Sequence, residues 1–174
     1  HNDYLQNVPF WKAYSAGATS IEADIFLIGE ELFVAHTPQE IDTLRTFDKL
    51  YLNPLRESLV LGLERPKSLQ LLIDIKSEPY STLDVLIRKL KNYPEIIRNE
   101  DISIVISGNR PKPSEYLNYP DFIFFDYQSL AEDIDPVVLK KIALVSLSFK
   151  SLTEWNGKGR LTAEDLEKIS KTIK

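Results

Sequence analysis

A strand-length apolar run that ends abruptly on polar residues recurs along this chain, and it limits the possible folds more than any other feature. The run over 69–75 closes on Asp74 and Lys76, and the run over 102–106 on Ser107-Gly108-Asn109-Arg110. The run over 122–125 closes on Asp126, and the run over 142–147 on Ser148-Phe149-Lys150. An earlier strand is predicted over 20–27, with Ile21, Ala23, Ile25 and Leu27 facing one way and Glu22, Asp24 and Phe26 the other. Gly29-Glu30 then reads as a tight turn into a short strand over 32–35. Helical spacing is predicted between the runs, over 9–16, over 47–63 with a break near Pro54, and over 81–90 with Ser81 as cap. A last amphipathic helix begins at Thr162, with Asp165 three residues on.

Strand, polar loop, helix, strand is βα repetition. Strands apolar on both faces fit a parallel sheet covered by helices. In such folds the carboxyl ends of the strands lie on one face, where ligands bind.

Composition narrows the functional classes. The chain has 174 residues, 21 Lys plus Arg and 26 Asp plus Glu, for a formal charge of −5. That balance argues against a general nucleic-acid binder, which carries a basic footprint. With 43% hydrophobic residues the chain is a globular one, expected as one domain over 1–174. No apolar run reaches the length of a membrane span. Without Cys there is no disulfide framework, thiolate metal site or Cys nucleophile. The chain starts at His1 and stops at Lys174 inside a helical pattern, so both ends are expected to be cut.

Glu22-Ala23-Asp24 is the strongest local signal. Residues i and i+2 of a strand point to the same side, so the two carboxylates share one place. Two like charges on an apolar strand repel and are costly to bury; a divalent cation removes both penalties. The alternative is a solvated edge strand with two surface acids. Asp74-Ile75-Lys76 repeats the geometry. Asp74 is a candidate third oxygen ligand and Lys76 a candidate anion holder, against the plainer reading of a salt bridge at a strand end. His1 and His36 are the only imidazoles, near strand ends, and two groups with pKa near 6.5 can serve as base and acid. Arg45 and Arg110 are candidates for contacting an anion and otherwise ordinary surface residues. Gly157-Lys158-Gly159 lacks the phosphate-loop pattern and reads as a turn.

The ordered set His1-Asn2, Glu22-Ala23-Asp24, His36 and Asp74-Ile75-Lys76 resembles the phospholipase-C-like phosphodiesterase superfamily. That group includes glycerophosphodiester phosphodiesterases, phosphoinositide-specific phospholipases C and spider-type sphingomyelinases D. His-Asn at the first position resembles the phosphoinositide enzymes, and D-x-K resembles the sphingomyelinase D type. The glycerophosphodiester enzymes usually carry His-Arg and have Glu where Asp74 stands. The specific motifs span 1–76; beyond them the likeness is the βα rhythm.

The resemblance implies a TIM (β/α)8 barrel, incomplete here at about strands 1–6. It implies a metal-dependent phosphodiester hydrolase acting on a glycerophosphodiester or a phospholipid-type substrate. Glu22, Asp24 and Asp74, with Asn2 as a fourth ligand, would bind Ca²⁺ or Mg²⁺. His1 and His36 would act as base and acid, and Lys76 would stabilise the transition state. The implied partner is a small-molecule or lipid phosphodiester, with no nucleic acid, and the implied location is secreted or periplasmic. Two other functions compete: a non-catalytic barrel module that binds a phosphorylated ligand, and a different chemistry on the same barrel.

Overall fold

The computed structural model describes residues 2–63, 68–129 and 134–173. Six strands form one sheet in the order β2-β1-β3-β4-β5-β6. They are β1 (Ser20–Ile28), β2 (Glu31–Val34), β3 (Leu69–Ile75), β4 (Ile102–Gly108), β5 (Ile123–Tyr127) and β6 (Ile142–Val145). β2 pairs antiparallel with β1 through the Gly29-Glu30 turn, where Gly29 takes a φ of 61°. Every other pairing is parallel. The helices are α1 (Trp11–Ser15), α2 (Asn53–Val60), α3 (Pro79–Leu90), α4 (Pro94–Ile97), α5 (Pro136–Leu139) and α6 (Ala163–Ile173).

From β1 through β3, β4 and β5 to β6, each parallel strand is laid beside the one before it, always in the same direction. With right-handed crossovers, that order sends the connecting helices to one face of the sheet. The core sits there. Ile21, Ala23, Ile25, Leu71, Ile73, Ile75, Ile104, Ile106 and Phe125 pack against Leu55 of α2 and Leu83, Leu86 and Leu90 of α3. Each such large side chain contributes about 1.5–3 kcal/mol by burial.

The opposite face carries Glu22, Asp24, Leu72, Asp74, Ser107, Phe124 and Asp126, by alternation along each strand and by the parallel register. Glu22, Leu72, Asp74 and Phe124 are only half-buried. A barrel, the fold expected from the sequence, also carries its helices on one face of its sheet. The same-direction crossovers explain why one face takes the helices. Among the described residues the sheet stays open, with β2 and β6 at its edges, and no closed barrel forms.

The break near Pro54 is a change of winding: a wide helical turn over Asp48–Leu52 gives way at Asn53 to α2, and Pro54 stands in the first turn of α2. One local expectation changes. α3 is capped by Glu78 rather than Ser81, since the Glu78 side chain accepts from the Tyr80 and Ser81 N–H groups. At α6 the Thr162–Asp165 pair closes reciprocally: Asp165 N–H donates to Thr162 Oγ1 at 3.1 Å and Thr162 N–H to Asp165 Oδ2 at 3.2 Å. The Gly157-Lys158-Gly159 segment is a turn held by Trp155 Nε1, which donates to Lys158 O at 2.9 Å. No helix among the described residues is long and apolar enough to cross a membrane.

Candidate metal and acid–base site

Parallel register sets Asp24 of β1 directly beside Asp74 of β3. Glu22 lies one full pleat back on the same face. One oxygen from each of Glu22, Asp24 and Asp74 falls within 4.8 Å of the other two. Asp24 is fully buried, whereas Glu22 and Asp74 are half-buried. Burial first, and then the Asp24 charge, push the Glu22 carboxyl above the ordinary glutamate value. That is the penalty for crowding acids in a dry place.

Asp74 shows the same demand differently. Its Oδ1 is buried and has no hydrogen-bond partner. The space around it exists because residue 108 is glycine. A Cβ on Gly108 would stand 1.9 Å from Asp74 Oδ1 and 2.6 Å from the Ile75 carbonyl. Gly108 also holds a φ of 67°, which L side chains rarely adopt.

Three donors converge on Asp24 Oδ2. Tyr4 OH donates at 2.7 Å, His36 Nδ1 lies at 2.7 Å and Lys76 Nζ at 3.5 Å. A carboxylate can only accept, so the short His36 contact puts the proton on Nδ1 and leaves Nε2 as the basic nitrogen. The His36 side chain is 49% exposed, so the ring is anchored to Asp24 while part of it reaches the surface. Lys76 Nζ also pairs with Asp74 Oδ2 at 2.7 Å. Burial works to discharge this lysine, but the Asp74 contact and the charges of Asp74 and Asp24 outweigh it and hold the ammonium above the ordinary lysine value.

Asn2 reaches the cluster through Tyr4, whose hydroxyl lies 3.0 Å from Asn2 Oδ1. Asn2 sits in the left-handed region at φ 53°, which Asn tolerates better than most residues. The segment behind it is clamped. Buried Asp3 accepts from Phe10 N–H at 2.6 Å and from Tyr51 OH at 3.1 Å, and Arg45 donates to the Tyr4 carbonyl. Arg45 thereby braces the backbone of this segment. His1 lies outside the described residues.

Of the residues singled out from the sequence, the fold gathers Asn2, Glu22, Asp24, His36, Asp74 and Lys76 around the carboxyl end of β3 and the stretch of β1 beside it. Sequence reasoning assigned no role to Tyr4, Asp3 or Gly108. Tyr4 looked like one more core aromatic. Its burial, then its bond to Asp24, hold its hydroxyl well above the ordinary tyrosine value, so it acts as a fixed donor. The clue to Gly108 was a glycine immediately after an apolar run.

Further along the sheet, Ser107 stands in register with Asp74, and the next strand brings Asp126 beside Ser107. Asp126 is buried and accepts from Ser107 Oγ at 2.8 Å, Gln128 Nε2 at 2.7 Å, Ser146 Oγ at 2.7 Å and Ser146 N–H at 3.1 Å.

The first part of this arrangement has a counterpart among known proteins. Residues 1–62 match the AIM6-like phosphodiesterase domain. The matched segment carries Asn2, Glu22, Asp24 and His36, while Asp74 and Lys76 lie beyond it. Over 216 aligned residues the chain is 28% identical to the altered inheritance of mitochondria protein 6 homolog of Arthroderma benhamiae, covering all of this chain and 67% of that protein. The altered inheritance of mitochondria protein 6 of Kluyveromyces lactis is 32% identical over 164 residues, which span 68% of this chain and 39% of that protein. The Saccharomyces cerevisiae protein of the same name is 41% identical over 61 residues, 34% of this chain and 16% of its own length. No solved structure matches the chain.

Proposed function

We propose that this chain carries the active site of a divalent-cation-dependent phosphodiesterase of the phospholipase-C-like type. The observation that carries the reading is the acid cluster. Three carboxylates lie within 4.8 Å of one another, and one buried oxygen, Asp74 Oδ1, lacks any partner. An all-oxygen donor set of this kind suits a hard cation, Ca²⁺ or Mg²⁺. Glu22, Asp24 and Asp74 would hold it, with Asn2 as a fourth ligand, and when bound it supplies Lewis-acid polarisation of a phosphoryl oxygen.

The chain's own residues supply the rest. Asp24 fixes the His36 ring through Nδ1, so Nε2 takes or gives the proton at the reacting oxygen. His1 is the second acid–base group in this reading. Lys76, held charged between Asp74 and Asp24, binds the phosphoryl oxygen whose negative charge grows in the transition state. Tyr4 holds Asp24 and the Asn2 segment in place.

The sheet is an arc of a (β/α) barrel in this proposal. Consecutive parallel strands, helices on one face and polar residues at the strand ends support it. The substrate class is a glycerophosphodiester or phospholipid-type diester.

The test is hydrolysis of bis(4-nitrophenyl) phosphate and a panel of glycerophosphodiesters and phospholipids, with EDTA, Ca²⁺ or Mg²⁺. Turnover that requires the cation is expected. Turnover in EDTA overturns the metal role. Phosphodiester binding without turnover would make the chain a non-catalytic binding module.

A further inference from the structure

Beside the acid cluster, where β4 and β5 end, lies a cavity of about 510 Å³. Gly108, Asn109, Arg110, Tyr116, Tyr127 and Gln128 line it. It adjoins the proposed reaction centre directly, because Gly108 is the residue against which Asp74 Oδ1 rests.

The polar groups around this cavity are not equally committed. Asn109 is tied down: its N–H donates to Ile75 O at 2.8 Å and its Nδ2 to Ser77 O at 3.0 Å. Gln128 Nε2 is held by Asp126. Arg110 differs. Its Nη1 donates to Gly108 O at 2.8 Å, which orients the guanidinium, and among the described residues no carboxylate pairs with it. The other acids near this end of the sheet are engaged, Asp74 by Lys76 and Asp126 by its donors. Tyr116 lies under the same cavity, stacked on Phe125 with ring centroids 3.8 Å apart. Its hydroxyl is completely buried. Burial raises its pKa, and first the contact of the hydroxyl with Arg110 and then the Arg110 charge act against that rise.

The oriented guanidinium, without an acid, lines this space, and the buried Tyr116 hydroxyl lies behind it. A guanidinium fork matches a carboxylate or phosphate. We propose that this cavity is a leaving-group subsite in which Arg110, backed by Tyr116, binds a second anionic group of the phosphodiester substrate, a carboxylate or a phosphate monoester. It rests on the phosphodiesterase reading for its place in the reaction, but not for its capacity to bind an anion.

The experiment therefore has a binding arm and a turnover arm. In EDTA, inorganic phosphate and malonate are titrated separately into wild type, Arg110→Gln, Tyr116→Phe and the double variant Asp24→Asn/Asp74→Asn, followed by calorimetry and amide NMR shifts. Arg110→Gln is expected to weaken the preferred anion by about tenfold or more and Tyr116→Phe by a smaller factor, on the scale of charge-assisted hydrogen bonds. The double variant is expected to keep its affinity. Tighter phosphate assigns a phosphate monoester, and tighter malonate a carboxylate. No binding to wild type, or binding lost in the double variant and unchanged in Arg110→Gln, overturns the proposal.

In the turnover arm, kcat/KM is compared for aryl phosphodiesters with a neutral or a carboxylate- or phosphate-bearing leaving group. Arg110→Gln should cost at least tenfold more on the anionic substrate than on the neutral one, and equal losses overturn the subsite. If nothing is hydrolysed while phosphate still binds through Arg110, the anion site stands and the phosphodiesterase reading falls.

Discussion

Asp24 and Asp126 are each 1% exposed, and both stand at or beside the carboxyl end of a parallel strand on the same face of one sheet. Their company differs. Asp126 is met by four donors, three side-chain groups and one backbone N–H, and among the described residues no second carboxylate shares them. Asp24 shares its surroundings with Glu22 and Asp74, and one oxygen of that trio is buried with nothing to accept. Burial alone does not mark a carboxylate for chemistry. An unbalanced neighbourhood does: Lys76 offsets part of the repulsion, and a cation or ligand would relieve the rest and meet the orphaned oxygen.

The largest expected difference between the two regions is in turnover. His36, which leans on Asp24, should matter most: His36→Ala should cut kcat by about 10²–10⁴-fold, the share of one acid–base group. Cation binding, followed by calorimetry, should survive it. Full activity in this variant would remove the acid–base role. Lys76→Ala should lower kcat by about 10²-fold with a smaller change in KM, since its charge counts most when charge builds on phosphorus. An equal rise in KM at unchanged kcat would make Lys76 a ground-state binding residue.

Stability should show the reverse order. Asp126→Ala leaves four donors without their acceptor and should cost about 3 kcal/mol, roughly 6–12 °C in Tm for a chain of this size. Asp24→Asn relieves repulsion among the acids, and in EDTA it should change stability by less than about 1 kcal/mol. Adding Ca²⁺ or Mg²⁺ should raise the Tm of wild type and Asp126→Ala but not of Asp24→Asn. If the cation stabilises all three alike, it binds elsewhere.

The smallest effect is in pH dependence. Burial and the Asp24 charge raise the Glu22 pKa in the folded protein. The neutral form is thus favoured by folding, so its contribution to stability is full below the unfolded value of about 4.3 and is lost as pH rises through the higher folded value. In EDTA, stability should fall across that window, and Glu22→Gln should flatten the slope. A cation binds the charged form, so its affinity should rise over the same range. A slope unchanged by Glu22→Gln would place the titration on another group.

Much of the site was legible before any fold was known. Alternation along a strand is a local rule, so Glu22 with Asp24, and Asp74 with Lys76, share a face whatever surrounds them. The apolar runs announced the parallel strands, since strand-length runs separated by helical segments fit βα repetition. Tyr4 and Gly108 were not legible as parts of a site. Tyr4 matters because its hydroxyl meets Asp24 from 20 residues away, and Gly108 because β4 runs beside β3 at the height of Asp74. Arg45 and Arg110 looked alike in sequence. Only packing gave one of them to the Tyr4 carbonyl and set the other over a cavity.

The sequence by itself determined which side chains share a strand face, where each strand stops and that the polar residues gather at those stops. These follow from backbone geometry over a few bonds and from the cost of burying polar groups. The tertiary structure decided that Asp74 lies beside Asp24, that Lys76 falls between them, and that Asp126 is satisfied while Asp74 keeps an orphaned oxygen. Those outcomes depend on the register between strands more than 40 residues apart and on which donors packing brings within 3 Å. No local pattern encodes either.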